Sequence, residues 1–325
     1  MRRREFILLT GCICSWSLVA HAQQDVKKVR IGQVIGPGEA AASLASAFEQ
    51  SLVALGYTDG KNISLLTRPV PPQLQALEQS IQSFAPEIDL LVVWGTVRAV
   101  AAKRSAPNIP TVFLSVGAPV DIGLVESLAR PGGNMTGVTF EAATETYAKR
   151  LQILKELIPN LRHVAVLRAS GDANVPFAMR SIERAAQELA LTIASFDVAS
   201  VNDLEATFDA MARAKPEGLL VVAGALTYEG GKRIAELALQ YQFASCHAFK
   251  ETVAAGGLIS LGPDLLRMAS QGAGYVAKII QGAQPGQLSV EQPARYELHL
   301  NAKTARVLGI TVPSTLLARA DEVIE

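Results

Sequence analysis

VRIGQVIGPGEAAASLASAFEQSLVALG, residues 29–56, holds two periodicities back to back. Val29 to Ile35 is a short, mostly apolar run closed by Gly36-Pro37-Gly38, which reads as a buried β-strand and a turn. Leu44, Phe48 and Leu52 then recur every four residues up to Gly56, the spacing of an amphipathic helix. A buried strand followed at once by such a helix is the opening half of a βαβ unit. It predicts a parallel sheet with helices on both faces.

The unit repeats outward from there. Ile63 to Leu66 leads into a helix around Leu74, Leu77 and Ile81; Leu90 to Trp94 precedes an Ala-rich helix from Val97; Thr111 to Leu114 is followed by an expected helix around Leu124 and Leu128. Arg130-Pro131-Gly132-Gly133-Asn134 breaks the rhythm, and Thr136 to Phe140 resumes extended chain, which reads as a crossing between domains. A second series follows, with a helix at Tyr147, Leu151, Leu154 and Ile158 and strands at His163–Leu167, Thr192–Phe196, Gly218–Val222 and Ala244–Ala248. Gly256-Gly257 precedes a strand at Leu258–Leu261, then come a helix from Leu265 to about Gln281, a late strand at Tyr296–Leu300 and short helices. With 325 residues, 49% of them hydrophobic, the chain is long enough for two domains with their own cores.

The first 22 residues read as an export signal. Arg2, Arg3 and Arg4 are followed by an apolar run too short to span a bilayer, which takes about 20 residues. Ala20-His21-Ala22 is a small-x-small cleavage signature, so removal after Ala22 and a periplasmic protein are expected, with an export translocase as a partner. Arg3-Arg4-Glu5-Phe6-Ile7 fits the twin-arginine pattern, and the general secretory route is the alternative. Leu9-Thr10-Gly11-Cys12 offers a competing lipobox, with a shorter apolar segment than the roughly 7–15 residues such a region needs. Cleavage after Ala22 leaves Cys246 as the one cysteine, so no internal disulfide is expected. The 30 basic and 30 acidic residues become 27 and 29 once three Arg and one Glu leave with the leader; this balance argues against a nucleic-acid or anionic-surface partner.

Chemistry-bearing motifs are scarce. No Gly-x-Ser-x-Gly elbow, phosphate-binding P-loop, His-Glu-x-x-His or Cys-x-x-Cys occurs, and His163, His247 and His299 show no metal-ligand spacing. Neither an enzyme activity nor a metal or cofactor is expected. Gly36-x-Gly38-x-x-Ala41 lies between strand and helix as a dinucleotide site requires, but Pro37 removes an N–H donor and Thr67-Arg68 stands where a ribose-binding acid belongs. Ligands of open α/β sheets sit beyond the carboxyl ends of the strands. Those ends offer Gly36 and Pro37; Trp94, Gly95 and Thr96; Ser115, Val116 and Gly117; Arg168, Ser170 and Asn174; Gly224 and Ala225; and Asp264. Hydroxyls, helix N-termini and an indole suit binding better than turnover. Thr96 and Ser115 alternatively cap helices, and Trp94 is alternatively core.

With those loops in hand, the chain resembles the bacterial ABC-transporter substrate-binding proteins of the tryptophan/tyrosine-type group, essentially end to end. The resemblance is carried by Met1–Ile7, by Gly123-Leu124-Val125 with Leu128–Val138, by Ala255-Gly256-Gly257-Leu258-Ile259-Ser260 and by the ending Leu317–Glu325. It implies a type I periplasmic-binding fold of two Rossmann-like lobes with parallel sheets, joined by a three-stranded hinge around a ligand cleft. Residues 23–139 with 253–285 are expected as the first lobe, and 140–252 with 286–325 as the second. Two positions depart from the group's pattern: Ala118 replaces a usual Asp, and Leu261 a usual Tyr. If that Asp receives a ligand ammonium in relatives, its loss speaks against an amino-acid ligand. The role implied is a monomeric receptor that captures a small polar or aromatic molecule and delivers it to an ABC permease with its ATPase. An exported NADP-dependent oxidoreductase using the Gly36-x-Gly38 turn, or a ligand receptor for a sensor kinase, are the alternatives.

Overall fold

The computed structural model describes residues 28–141 and 145–325; the expected leader, with Cys12 and the Ala22 cleavage point, lies outside them. The first series runs β1 (Val29–Ile35), α1 (Glu39–Ala54), β2 (Ile63–Pro69), α2 (Leu74–Phe84), β3 (Leu90–Trp94), α3 (Thr96–Ser105), β4 (Thr111–Gly117) and β5 (Met135–Glu141). These five strands form one all-parallel sheet in the order β2-β1-β3-β4-β5. Leu44, Phe48 and Leu52 of α1 are buried beside Ile31, Leu90 and Val92, as their four-residue spacing predicts. Gly32 admits the end of α2 on the other face: a Cβ there would lie 2.7 Å from a Phe84 ring carbon and 2.8 Å from Ile88 Cδ1.

The second series runs α4 (Glu145–Leu157), β6 (His163–Ala169), α5 (Val175–Glu188), β7 (Thr192–Val198), α6 (Leu204–Ala214), β8 (Gly218–Val221), α7 (Ala225–Glu229), α8 (Gly231–Gln240), β9 (Ala244–His247), α9 (Lys250–Ala254) and β10 (Ile259–Gly262). After it come α10 (Leu265–Ile280), β11 (Glu297–Asn301), α11 (Ala302–Val307), α12 (Ser314–Arg319) and β12 (Glu322–Ile324). The second sheet has seven strands in the order β12-β11-β10-β9-β8-β6-β7, parallel except for the β10–β11 pair. Cys246 and His247 are adjacent on β9 and serve opposite faces. Cys246 is fully buried in the core, whereas the His247 ring pairs with Ser245 Oγ at 2.9 Å.

The structure departs from the sequence reading in four places. No helix forms around Leu124 and Leu128. Pro119, Pro131 and a left-handed Gly123 keep this stretch in consecutive turns, yet Leu124 is buried and the Leu128 carbonyl accepts the Val290 amide. Strand β10 lies inside the span expected in the first lobe but extends the second sheet, between β9 and β11. Residues 288–291, expected in the second lobe, lie along the first sheet: Val138 bridges Glu291 and Val290 is buried among first-sheet residues. The short edge strand β12, parallel to β11, has no counterpart in the sequence reading.

The chain therefore passes between the sheets three times, after Glu141, after Gly262 and between Glu291 and β11. Two side chains, Arg150 buried and Tyr296 half-buried, tie these crossings together. Arg150, on α4, donates from Nε to the Leu261 carbonyl at 2.9 Å and lies 3.5 Å from the Glu141 carboxylate. Tyr296, in the third crossing, donates its hydroxyl to the Phe140 carbonyl at 3.1 Å. α10 returns to the first sheet, where its Gly272 packs against Leu114: a Cβ there would lie 2.6 Å from Cδ2.

Candidate ligand cavity

Between the two sheets, strand ends from both series line a partly open cavity with about 490 Å³ of space not filled by protein atoms, part of it continuous with solvent. From the first sheet it is lined by Gly36 after β1, Trp94 and Gly95 at the end of β3, Thr96 and Arg98 on α3, Ser115 on β4 and Phe140 on β5. From the second it receives Gly224 and Ala225 after β8, Tyr228 and Glu229 on α7, and Phe249 after β9. Phe249 meets Phe140 and Tyr228 edge-on, with ring centroids 6.1 and 5.4 Å apart, so an aromatic wall spans both sheets' contributions.

Local backbone explains how the polar groups get there. The β4–β5 register slips between Leu114 and Val116, and Ser115 adopts φ 56, a left-handed bulge residue at the cavity wall. Gly95 enters α3 with φ 87, where a side chain would be strained, and α3 begins with no side-chain cap. Thr96 Oγ1 accepts the Gly117 amide at 3.1 Å, fixing the loop after β4. The Trp94 indole N–H and the Tyr228 hydroxyl are both buried with no protein partner. Burial, with Glu251 nearby, pushes the Tyr228 hydroxyl well above its usual range, so it remains a donor.

One ion pair crosses the cavity. Arg98 donates to Glu229 Oε1 at 2.7 Å and to the Val70 carbonyl at 2.6 Å, and both charged side chains are at least nine-tenths buried. Burial lowers the Arg98 pKa despite Glu229, and burial raises that of Glu229 despite Arg98. For both partners, desolvation outweighs the mutual attraction. The Glu229 carboxylate also lies directly over Gly36, where any Cβ would overlap it. The Gly36-x-Gly38 turn thus faces a carboxylate, a poor neighbour for a pyrophosphate.

Of the residues selected at the strand ends, Gly36, Trp94, Gly95, Thr96, Ser115, Gly224 and Ala225 line this cavity. The others do not. Pro37 is exposed, Val116 is buried in the core, and Gly117 lies against Asn174. Asn174 is itself buried, its amide 3.4 Å from both Tyr147 Oη and the Ala223 carbonyl. Arg168 is paired with Asp197 through two bonds of 2.8 and 3.0 Å, and Ser170 lines a neighbouring groove with Pro72 and Asp172. Asp264 caps α10, accepting the Leu266 and Arg267 amides, and pairs with Lys250 at 3.1 Å. Partial burial raises its pKa, but the Lys250 bond and those amides outweigh this and hold the carboxyl below its usual range.

Sequence reasoning missed Arg98, Phe140, Tyr228, Glu229 and Phe249. The available signal was modest: Arg98 lies four residues past the end of β3 and Glu229 eight past the end of β8, each a charge close to residues otherwise mostly Ala, Val and Leu. Among the described residues, no cluster of His, Cys, Asp and Glu is suited to a metal ion, and no helix is long and apolar enough to cross a membrane.

The chain is similar to proteins already characterised. A "Tyrosine-binding protein" of Clostridioides difficile is 21% identical over 264 residues, covering 81% of this chain and 75% of that protein. A conserved domain protein from Vibrio cholerae superposes with a TM-score of 0.85 at 27% identity, over 91% of this chain and all of that one. An ABC domain from Streptococcus pneumoniae in complex with L-Trp superposes with a TM-score of 0.84 at 22% identity, with the same coverage. The ABC transporter substrate binding protein family matches residues 28–324, and the chain belongs to that family.

Proposed function

We propose that this protein is the exported receptor of an ABC import system, capturing a small, largely aromatic molecule between its two sheets and delivering it to a membrane permease driven by an ATPase. The observation that carries this reading is the aromatic cavity built from strand ends of both sheets. Its groups can surround a solute, and three chain crossings, pinned by Arg150 and Tyr296, are suited to let the lobes part and close around it. Relatives that bind tyrosine or L-Trp support the ligand's general size and aromatic character. Export is supported by the basic start and Ala20-His21-Ala22, and the expected mature N-terminus is Gln23. Glu229 over Gly36 weighs against the alternative of an NADP-dependent oxidoreductase.

A thermal-shift screen of aromatic acids, amino acids, purines and amides, with NADP included, tests the reading. A ligand at 100 times its dissociation constant stabilises by about 2.7 kcal/mol, a clear rise in melting temperature. Stabilisation by NADP alone, saturating in the micromolar range, would overturn it in favour of the oxidoreductase.

A further inference from the structure

The cavity contains a mismatch between donors and acceptors, and the mismatch points to a ligand class. Its one carboxylate, Glu229, is already held by Arg98 at 2.7 Å. That pair is neutral as a unit, and no other lining side chain carries a negative charge to receive an ammonium group. Two further acids stand outside the lining: buried Asp172 accepts the Asn174 amide and lines the groove on the Pro72 side, and Glu251, whose charge acts on Tyr228, lines a separate groove with Lys232 and Lys250. Donors, by contrast, are in surplus. The Trp94 indole N–H belongs to a side chain only 4% exposed and has no partner. Gly95 alone separates Trp94 from the ten-residue helix α3, whose first turn has no side-chain cap and carries a partial positive charge at the same wall. The Tyr228 hydroxyl, across from it, is likewise unpartnered. Phe140 and Phe249 supply the apolar remainder.

On the reading of this cavity as the solute site, we infer that the ligand is a small aromatic carboxylate that lacks an α-ammonium group. Its carboxylate is received by the Trp94 N–H and the amino end of α3, and its ring packs against Phe140 and Phe249. An amino acid of the same ring brings a cation for which the cavity has no free acceptor, and burying it unpaired is costly.

Residues 23–325 carry every described element and contain Trp94 as their single tryptophan, so its fluorescence reports directly on the site. The probes are phenylacetate and indole-3-acetate, each beside its amide and beside L-phenylalanine or L-tryptophan; the phenyl series is titrated by Trp94 fluorescence with parallel melting curves, and the indole series, which is itself fluorescent, by melting curves. The expected result is saturable binding of at least one carboxylate, at least tenfold tighter than its matched amide and amino acid. Trp94→Phe weakens that carboxylate tenfold or more, read as the loss of the ligand-induced melting shift relative to the variant's own ligand-free melting point. An amino acid or amide that binds as tightly as its carboxylate overturns the inference, as does unchanged affinity in Trp94→Phe. Stabilisation by an unrelated solute, with no aromatic carboxylate bound, overturns it while leaving the receptor reading intact; no stabilisation by any solute removes both.

Discussion

At the scale of single residues, Thr96 shows how a strand-end position acquires its role. Its hydroxyl is 1% exposed and accepts the Gly117 amide, so it organises the loop after β4 rather than its own helix. Thr96→Ala leaves that buried N–H without a partner, which costs about 1–3 kcal/mol in the ligand-free protein, measurable by denaturant unfolding. An unchanged midpoint would show that water replaces the hydroxyl freely. Strand ends were legible in the sequence because an apolar run that stops at Gly or a hydroxyl residue marks its own boundary, as at Trp94-Gly95-Thr96. Arg98 and Glu229 were not. They are 131 residues apart, and each alone reads as a solvated helix charge; only tertiary structure makes them a buried pair. Asp264 was misleading for the opposite reason, since a carboxylate after a strand and before a helix serves equally as a ligand group or an N-cap.

Elements fared better, because hydrophobic period survives without knowledge of neighbours. Helices α1 and α10 and strands β1 and β3 fall within a residue or two of their expected limits. The helix expected at Leu124 failed because Leu124 and Leu128 have helical spacing but are flanked by Pro119, Gly123 and Pro131, and turn chemistry overrode the pattern. Strand order was illegible throughout, since parallel neighbours such as β1 and β3 are joined through a separate β–α excursion. The pairing of α3 with α7 through Arg98 and Glu229 carries a prediction of its own. Removing one partner strands a buried charge, whereas replacing both with apolar groups of similar volume is close to neutral. Glu229→Ala should shift the ligand-free protein toward an open form, seen as a larger radius of gyration in X-ray scattering. Arg98→Met combined with Glu229→Met should return the compact value. Equal expansion in single and double variants would mean that the pair itself holds the lobes together.

For the molecule as a whole, two buried titratable groups pull stability in opposite directions with pH. Burial raises the Asp172 carboxyl to about 6, well above the usual carboxylate range. Its contribution to stability is fully present below pH 3.8 and is lost as pH rises through about 6. Burial lowers His247 to about 3, so its contribution is present above pH 6.5 and is lost as pH falls toward that value. Asp172→Asn keeps an acceptor for the Asn174 amide and removes only the ionisation. The variant's advantage in unfolding free energy over wild type, measured by denaturant unfolding at each pH, should therefore grow between pH 4 and pH 6 and level off above, reaching at most a few kcal/mol. A pH-independent difference would place Asp172 in contact with water. A last consequence concerns synthesis. α1 and the inner face of the first sheet are covered by α10, which is made only after β10 has joined the other sheet. The ribosome must therefore deliver most of the second lobe before the first can close its core, a delay on the order of ten seconds at typical elongation rates. Over that interval the face of Leu114 and the side of α1 that α10 covers stay open on a nascent chain, which makes this lobe a natural client for a chaperone that grips exposed hydrophobic surface during translation.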